Sequence, residues 1–160
     1  CQSRQTVSAY PYLLGCRFTD NEHMAQLSTP EAEALREALD DEYKAWTTYD
    51  QVIQDFGPIR PFINIRDAES RHIDALCQIF HDYGLTPPDN TWVGKALRYD
   101  NVKSACAAAV QAEIDNADLY ERIMTSTERP DILNVFRNLR DASQQRHLPA
   151  FRRCLQRSRD

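Results

Sequence analysis

Glutamate, histidine and tyrosine recur at helical spacing in this chain on faces that are otherwise apolar, and no other feature restricts its fold as strongly. Glu42 is followed two turns later by Tyr49, Glu69 one turn later by His72, and Glu113 two turns later by Tyr120, with His147 closing the series. Three carboxylates and two imidazoles are costly to bury unless something positive lies among them. A metal centre enclosed by four helices meets that condition most simply.

The surrounding pattern supplies those helices. Ser28-Thr29-Pro30-Glu31 combines a hydroxyl cap, an early proline and a first-turn acid, so a helix starts there. Leu35, Ala38, Glu42, Ala45, Tyr49, Val52 and Phe56 follow at three-four spacing. Gly57-Pro58-Ile59-Arg60-Pro61 breaks the pattern as a tight connection. The second stripe runs Phe62, Ile65, Glu69, His72, Leu76, Ile79 and Tyr83, and stops near Gly84. Glu42 and His72 are equally far from Gly57 and should face each other across an antiparallel pair. The segment from Leu85 to Asp100, with Pro87-Pro88 and Trp92, is long enough to cross the bundle, which sets the third helix parallel to the second. Val102, Cys106, Ala109, Glu113, Asn116, Tyr120 and Ile123 form the third stripe; Ile132, Phe136, Leu139, Ser143, His147, Ala150 and Cys154 form the fourth. The expected fold is all-α, a four-helix bundle over 28–157 with a long crossover between helices 2 and 3, preceded by an irregular N-terminal tail over 1–27. Glu31, Glu33, Glu37, Asp40 and Asp41 fall off the stripes and are expected in solvent, Trp46 and Trp92 in packing, and His23 and His81 in structural or surface roles.

Composition narrows the function. At 160 residues and 42% hydrophobic, the chain suits one domain with its own core. A net charge of -5 and a pI near 5.4, with no block of Lys and Arg, argue against nucleic acid as a partner. No stretch approaches the roughly 20 apolar residues of a transmembrane segment. Cys1, followed by a polar, turn-rich segment, resembles the mature end of a bacterial lipoprotein; a lipid anchor at Cys1 and a periplasmic or secreted location follow as one expectation, a trimmed chain and a cytoplasmic location as the other. The five cysteines form no C-x-x-C pair, which removes zinc ribbons, thioredoxin-type motifs and a rubredoxin-like iron site. Cys106 lies two turns before Glu113 and Cys154 two turns after His147, so antiparallel helices bring them together as a disulfide. Cys16 with Cys77 is the weaker second pairing.

Arg66-Asp67-Ala68-Glu69-Ser70-Arg71-His72 is echoed by Arg140-Asp141-Ala142-Ser143-Gln144-Gln145-Arg146-His147, one residue longer and without the Glu. Two hairpins, each with Glu-x6-Tyr and then this segment, imply pseudo-twofold symmetry about one site. On these residues the chain resembles the ferritin-like, rubrerythrin-like di-iron carboxylate superfamily over roughly residues 29 to 156. Ala38-Leu39-Asp40-Asp41-Glu42-Tyr43-Lys44-Ala45 and Arg146-His147-Leu148-Pro149-Ala150-Phe151 look closest to a small, uncharacterised single-domain branch of it. The resemblance implies metal ligands at Glu42, Glu69, His72, Glu113 and His147, with Tyr49 and Tyr120 donating hydrogen bonds to ligands on facing helices. It implies two iron ions, with manganese or zinc as alternatives.

The fourth helix departs from the family pattern, which has a second Glu-x-x-His. Here Ser143 or Gln144 stands in the carboxylate's place, and the extra residue together with Pro149 predicts a π-bulge between Ser143 and Pro149. Two divalent ions with three carboxylates keep one net positive charge and a single ion leaves one negative, so the site holds one ion or an asymmetric pair and is expected to be open beside Ser143 and Gln144 to O2, peroxide or a small anion. An oxidoreductase of ferroxidase or peroxidase type is one functional reading. A metal storage or scavenging protein is the second, and a metal-free helical interaction module with a buried polar network is the third. A homodimer is compatible with each.

Overall fold

Helix α1 (Thr29–Phe56) begins where Ser28 and Glu31 form a reciprocal cap: the Ser28 hydroxyl accepts from the Glu31 amide, and the Glu31 carboxylate accepts from the Ser28 amide at 2.8 Å. The computed structural model describes residues 26–158. The expectations for the N-terminal tail, Cys1, Cys16 and His23 therefore lie outside the described residues. Helix α2 (Phe62–Asp82) ends at Gly84, whose φ of 68° lets the Leu85 amide donate back to the Phe80 carbonyl at 2.8 Å. Helix α3 (Val102–Ile123) is capped by Asn101 and Ser104. After a 3-10 turn (Met124–Ser126), the fourth rod comprises α4 (Pro130–Ala142), a π-helical turn (Ser143–His147) and α5 (Leu148–Arg157). The described residues are all helix and loop.

Cross-helix contacts set the directions. Glu37 pairs with Arg122, Glu42 with Tyr120 and Tyr49 with Glu113, so α1 and α3 run antiparallel. The five-residue connection makes α1 and α2 antiparallel as well, hence α2 and α3 are parallel, as the long crossover predicts. That crossover is strapped to α1: Tyr43 donates to the Pro88 carbonyl, Asn90 to Thr47, and the Trp92 indole to Asp40 at 2.9 Å. Trp92 thus packs as expected, and so does Trp46, whose indole donates to Ser70 at 2.8 Å.

Two apolar layers make the core. Leu35, Leu39, Leu76, Phe80, Ile132 and Phe136 fill one end, and Val52, Phe62, Ile65, Cys106, Ala109 and Phe151 fill the other. Glu42, Glu69, Glu113 and His147 occupy the level between them and are buried. Cys106 and Cys154 form a disulfide with Cα atoms 6.0 Å apart, joining α3 to α5. Cys77 is a free, half-buried thiol.

Two acids expected in solvent are not there. Glu31 is buried: beyond its cap, it accepts from Thr127 at 2.8 Å and from Arg129 at 2.9 Å, so it pins the start of α1 to the turn before α4. The helical wheel places Glu31 off the α1 stripe because it considers only that helix; the burial comes from the connecting turn folding over its end. Asp41 is half-buried and accepts from Asn116 on α3 at 2.8 Å. Burial pushes the Glu31 carboxyl up, but hydrogen bonds from Ser28, Thr127 and Arg129 outweigh it and hold the group at about 2 instead of 4.5. Its contribution to stability is present above pH 4.5 and is lost as pH falls toward 2. Glu31→Gln should lower unfolding stability by roughly 1–3 kcal/mol at neutral pH and flatten the acid limb of the stability curve, measured by urea unfolding from pH 2 to 7. Reduction of Cys106–Cys154, which spans 48 residues, should cost about 4 kcal/mol, and non-reducing peptide maps should recover the linked pair.

Candidate metal centre

Each helix brings its share of the central level by simple spacing. Glu69 and His72, one turn apart on α2, face the same way, and Glu69 Oε2 lies 2.7 Å from His72 Nδ1. Glu42 reaches the same imidazole nitrogen across the α1–α2 pair, Oε2 to Nδ1 at 3.1 Å, the opposition expected from their equal distance to the turn. On the far side, His147 Nδ1 lies 3.2 Å from Glu69 Oε1 and 3.7 Å from Glu113 Oε1. The two rings stand nearly parallel with centroids 5.5 Å apart.

The donors fall into two trios, Glu42–Glu69–His72 and Glu69–Glu113–His147, with ligand atoms in each within 4.8 Å of one another. Glu69 belongs to both. All five residues expected to bind metal are therefore together, and one carboxylate joins the two halves. Tyr120 on α3 donates to Glu42 Oε1 on α1 at 2.7 Å, and Tyr49 on α1 donates to Glu113 Oε1 on α3 at 2.9 Å. Burial first, and then the charge of Glu113 beside Tyr49 and of Glu42 beside Tyr120, push both hydroxyls upward, so they remain donors.

The internal echo is a three-dimensional repeat. Asp50, which follows Tyr49, pairs with Arg66, and Arg66 pairs with Asp67; Glu121, which follows Tyr120, pairs with Arg140, and Arg140 pairs with Asp141. The extra residue of the second copy is absorbed in the π turn, where the Leu148 amide donates to the Ser143 carbonyl five residues back. One wide turn keeps Ser143 level with Glu69 and His147 level with His72. Without it, the insertion would rotate His147 away from the carboxylates. Ser143 donates to Glu113 Oε2 at 2.5 Å, and Gln144 donates to the Glu113 backbone carbonyl at 2.5 Å. Both residues thus brace Glu113 with neutral hydrogen bonds.

A cavity of about 610 Å³ opens from this level between α1 and α3. Its floor includes Glu42, Glu69, Glu113, Ser143 and His147, its α3 wall is built of alanines, and Trp92, Leu97 and Tyr99 of the crossover roof it. Asn116, spent on one side by its bond to Asp41, leaves its Oδ1 buried without a hydrogen-bond partner at this wall. The cavity, the unpartnered Oδ1 of Asn116 and the roofing role of Trp92 are not evident in the sequence pattern. The run of small residues at Ala105, Ala108, Ala109 and Ala112 is the trace that could have signalled it.

Solved structures share the architecture. A hypothetical protein from Methanococcus jannaschii DSM 2661, MJ0754, superposes with a TM-score of 0.74 at 20% identity, over 96% of this chain and 86% of that one. A conserved hypothetical protein from Mycobacterium tuberculosis, rv2844, gives a TM-score of 0.64 at 17% identity, over 82% of this chain and 94% of that one. At these identities the likeness is one of fold. No family model matches the chain, and no curated protein does.

The charges at the centre determine a pH response. The ion pairs of the three carboxylates among the described residues are with His72 and His147 alone. Burial would lower the two imidazoles, but Glu42 and Glu69 around His72, and Glu113 and Glu69 around His147, raise them to about 10 and about 9. Burial, and then the charge of Glu69, push Glu42 up to about 8, while Glu69, although buried, is held at about 2 by hydrogen bonds from both imidazoles. The stability conferred by the charged imidazoles is full below pH 6.5 and is lost as pH rises through 9 to 10; Glu42 acts in the same sense between 4.5 and 8. The metal-free protein should therefore lose thermal stability steadily above pH 6.5, and His72→Gln should reduce that slope, as read by melting scans from pH 6 to 10.

Proposed function

We propose that the bundle is a ferritin-like, rubrerythrin-like protein that holds two iron or manganese ions and works on O2 or peroxide. What carries the reading is the shared position of Glu69 between two Glu–His trios, each with donors close enough for one ion. Carboxylate and imidazole donors suit iron and manganese. Bound there, such a pair would supply one-electron redox chemistry toward O2 or peroxide.

The chain's own residues prepare the site. Tyr120 holds Glu42 Oε1 and leaves Oε2 facing His72, while Glu113 is held on both oxygens, Oε1 by Tyr49 and Oε2 by Ser143. The carboxylates around His72 and His147 favour the protonated imidazoles, so cations entering the site would displace protons and metal affinity would rise with pH. The apolar layers cover the centre from both ends of the bundle and leave the cavity as its open side. The fourth rod offers Ser143 where a carboxylate would complete the charge, so the site keeps a net positive charge and room for an exogenous anion. The buried disulfide favours an oxidising, periplasmic or secreted setting.

Metal content separates this reading from a metal-free polar network. Elemental analysis after anaerobic loading should give two ions per chain in the unaltered protein and none in Glu69→Ala, while Glu42→Ala should keep at most the half formed by Glu69, Glu113 and His147. Helix content should change little in both variants. Unaltered stoichiometry in Glu69→Ala would sink the ligand assignment. Azide added to the iron-loaded protein should produce a charge-transfer band, and Ser143→Glu should weaken azide binding at least tenfold.

A further inference from the structure

The cavity beside the centre has a composition that goes beyond metal binding. Its volume of about 610 Å³ lies in the usual range for small-molecule sites, roughly 300–1,000 Å³. One end is polar and consists of the carboxylate and histidine cluster with Ser143; alanines of α3, Val52 and Phe62 line an apolar stretch under Trp92, Leu97 and Tyr99, and Asp41, Lys44 and Lys95 also border the cavity. From Glu113 to Ala105 this wall runs for roughly 12 Å at 1.5 Å per helical residue. Leu97, 71% exposed, stands at the roof, one of two large hydrophobic side chains left strongly exposed among the described residues. Such a side chain gains a partner when the cavity fills.

Asp41 borders the cavity, but the two trios hold three carboxylates and no fourth. The two hairpins correspond around the centre, Glu42 with Glu113, Tyr49 with Tyr120 and His72 with His147, while Ser143 stands opposite Glu69 in the copy that carries the π turn. Two divalent ions with three carboxylates keep one positive charge there, and Ser143 brings none to offset it. The buried Oδ1 of Asn116, without a partner, also lies on the cavity wall one turn beyond Glu113, and a water or hydroxyl entering with a head group would satisfy it.

We infer that this cavity binds an apolar carboxylic acid, its carboxylate beside Ser143 in place of the acid that the fourth rod lacks, its hydrocarbon body along α3 beneath the crossover. The inference rests on the two-ion reading above and names the substrate class of that same site. A neutral apolar molecule would bring no carboxylate to the position that Ser143 occupies, and a small anion would leave the apolar volume empty. An apolar carboxylate meets both needs.

The test compares decanoate, decanol and acetate by isothermal titration calorimetry on metal-loaded protein, with the metal content of each sample measured. Decanoate should bind at least tenfold more tightly than either control. Ser143→Glu should weaken decanoate at least tenfold and leave decanol within twofold. Ala108→Phe, at a half-buried cavity position, should abolish decanoate binding while metal content and azide binding persist; Ala112→Leu gives a milder filling of the same wall if the first variant does not fold. Equal affinity for decanoate and decanol, or undiminished decanoate binding in both cavity variants, would overturn the inference while the metal assignment stands. A sample that takes up no metal would overturn both, and its elemental analysis identifies that case.

Discussion

Three carboxylates are buried at one level of an apolar bundle, and the remaining features follow from the need to satisfy them. An isolated buried carboxylate costs several kcal/mol even after relaxation. Here each of Glu42 and Glu113 is held by a tyrosine from the other hairpin, and Glu69 by both histidines. Removing either hairpin would leave charges without partners, so the polar level couples the two halves alongside the leucine and phenylalanine layers. Those layers in turn cover the polar level from both ends, so that it opens beside the cavity.

The same constraint explains the irregular fourth rod. A π turn is less favourable than continuous α-helix, and it persists where something else requires it. At Ser143–His147 the requirement is register: an inserted residue would turn His147 away from Glu69 and Glu113, and widening one turn returns it. Ser143 stands where the first hairpin has Glu69, a local difference that leaves the frame intact. It turns a symmetric arrangement into one with a neutral side, and that side adjoins the cavity between α1 and α3. Asymmetry of charge and asymmetry of space therefore coincide.

Much of this was legible beforehand because helical periodicity is a one-dimensional record of which face is buried. The stripes carrying Glu42, Glu69, His72, Glu113 and His147 could be read directly, as could the opposition of Glu42 and His72 across a short turn. The disulfide followed from equal counts along antiparallel helices, and the π turn from comparing two copies of one segment. Glu31 and Asp41 were misread for a common reason. A helical wheel ranks residues by their own helix, while the Thr127–Arg129 turn and Asn116 belong to other elements and cover them from outside.

By itself, the sequence determined the number of helices, their inward faces, and the set of acids, imidazoles and phenols that must share the interior, because these depend on spacing within single segments. Tertiary structure decided which carboxylate is shared between the two histidines, which tyrosine serves which glutamate, and where the 92–99 segment lies. It also decided that the small residues of α3 border open space instead of a close-packed helix. Those outcomes depend on distances between segments far apart in the chain, and only the packed arrangement of all four rods sets them.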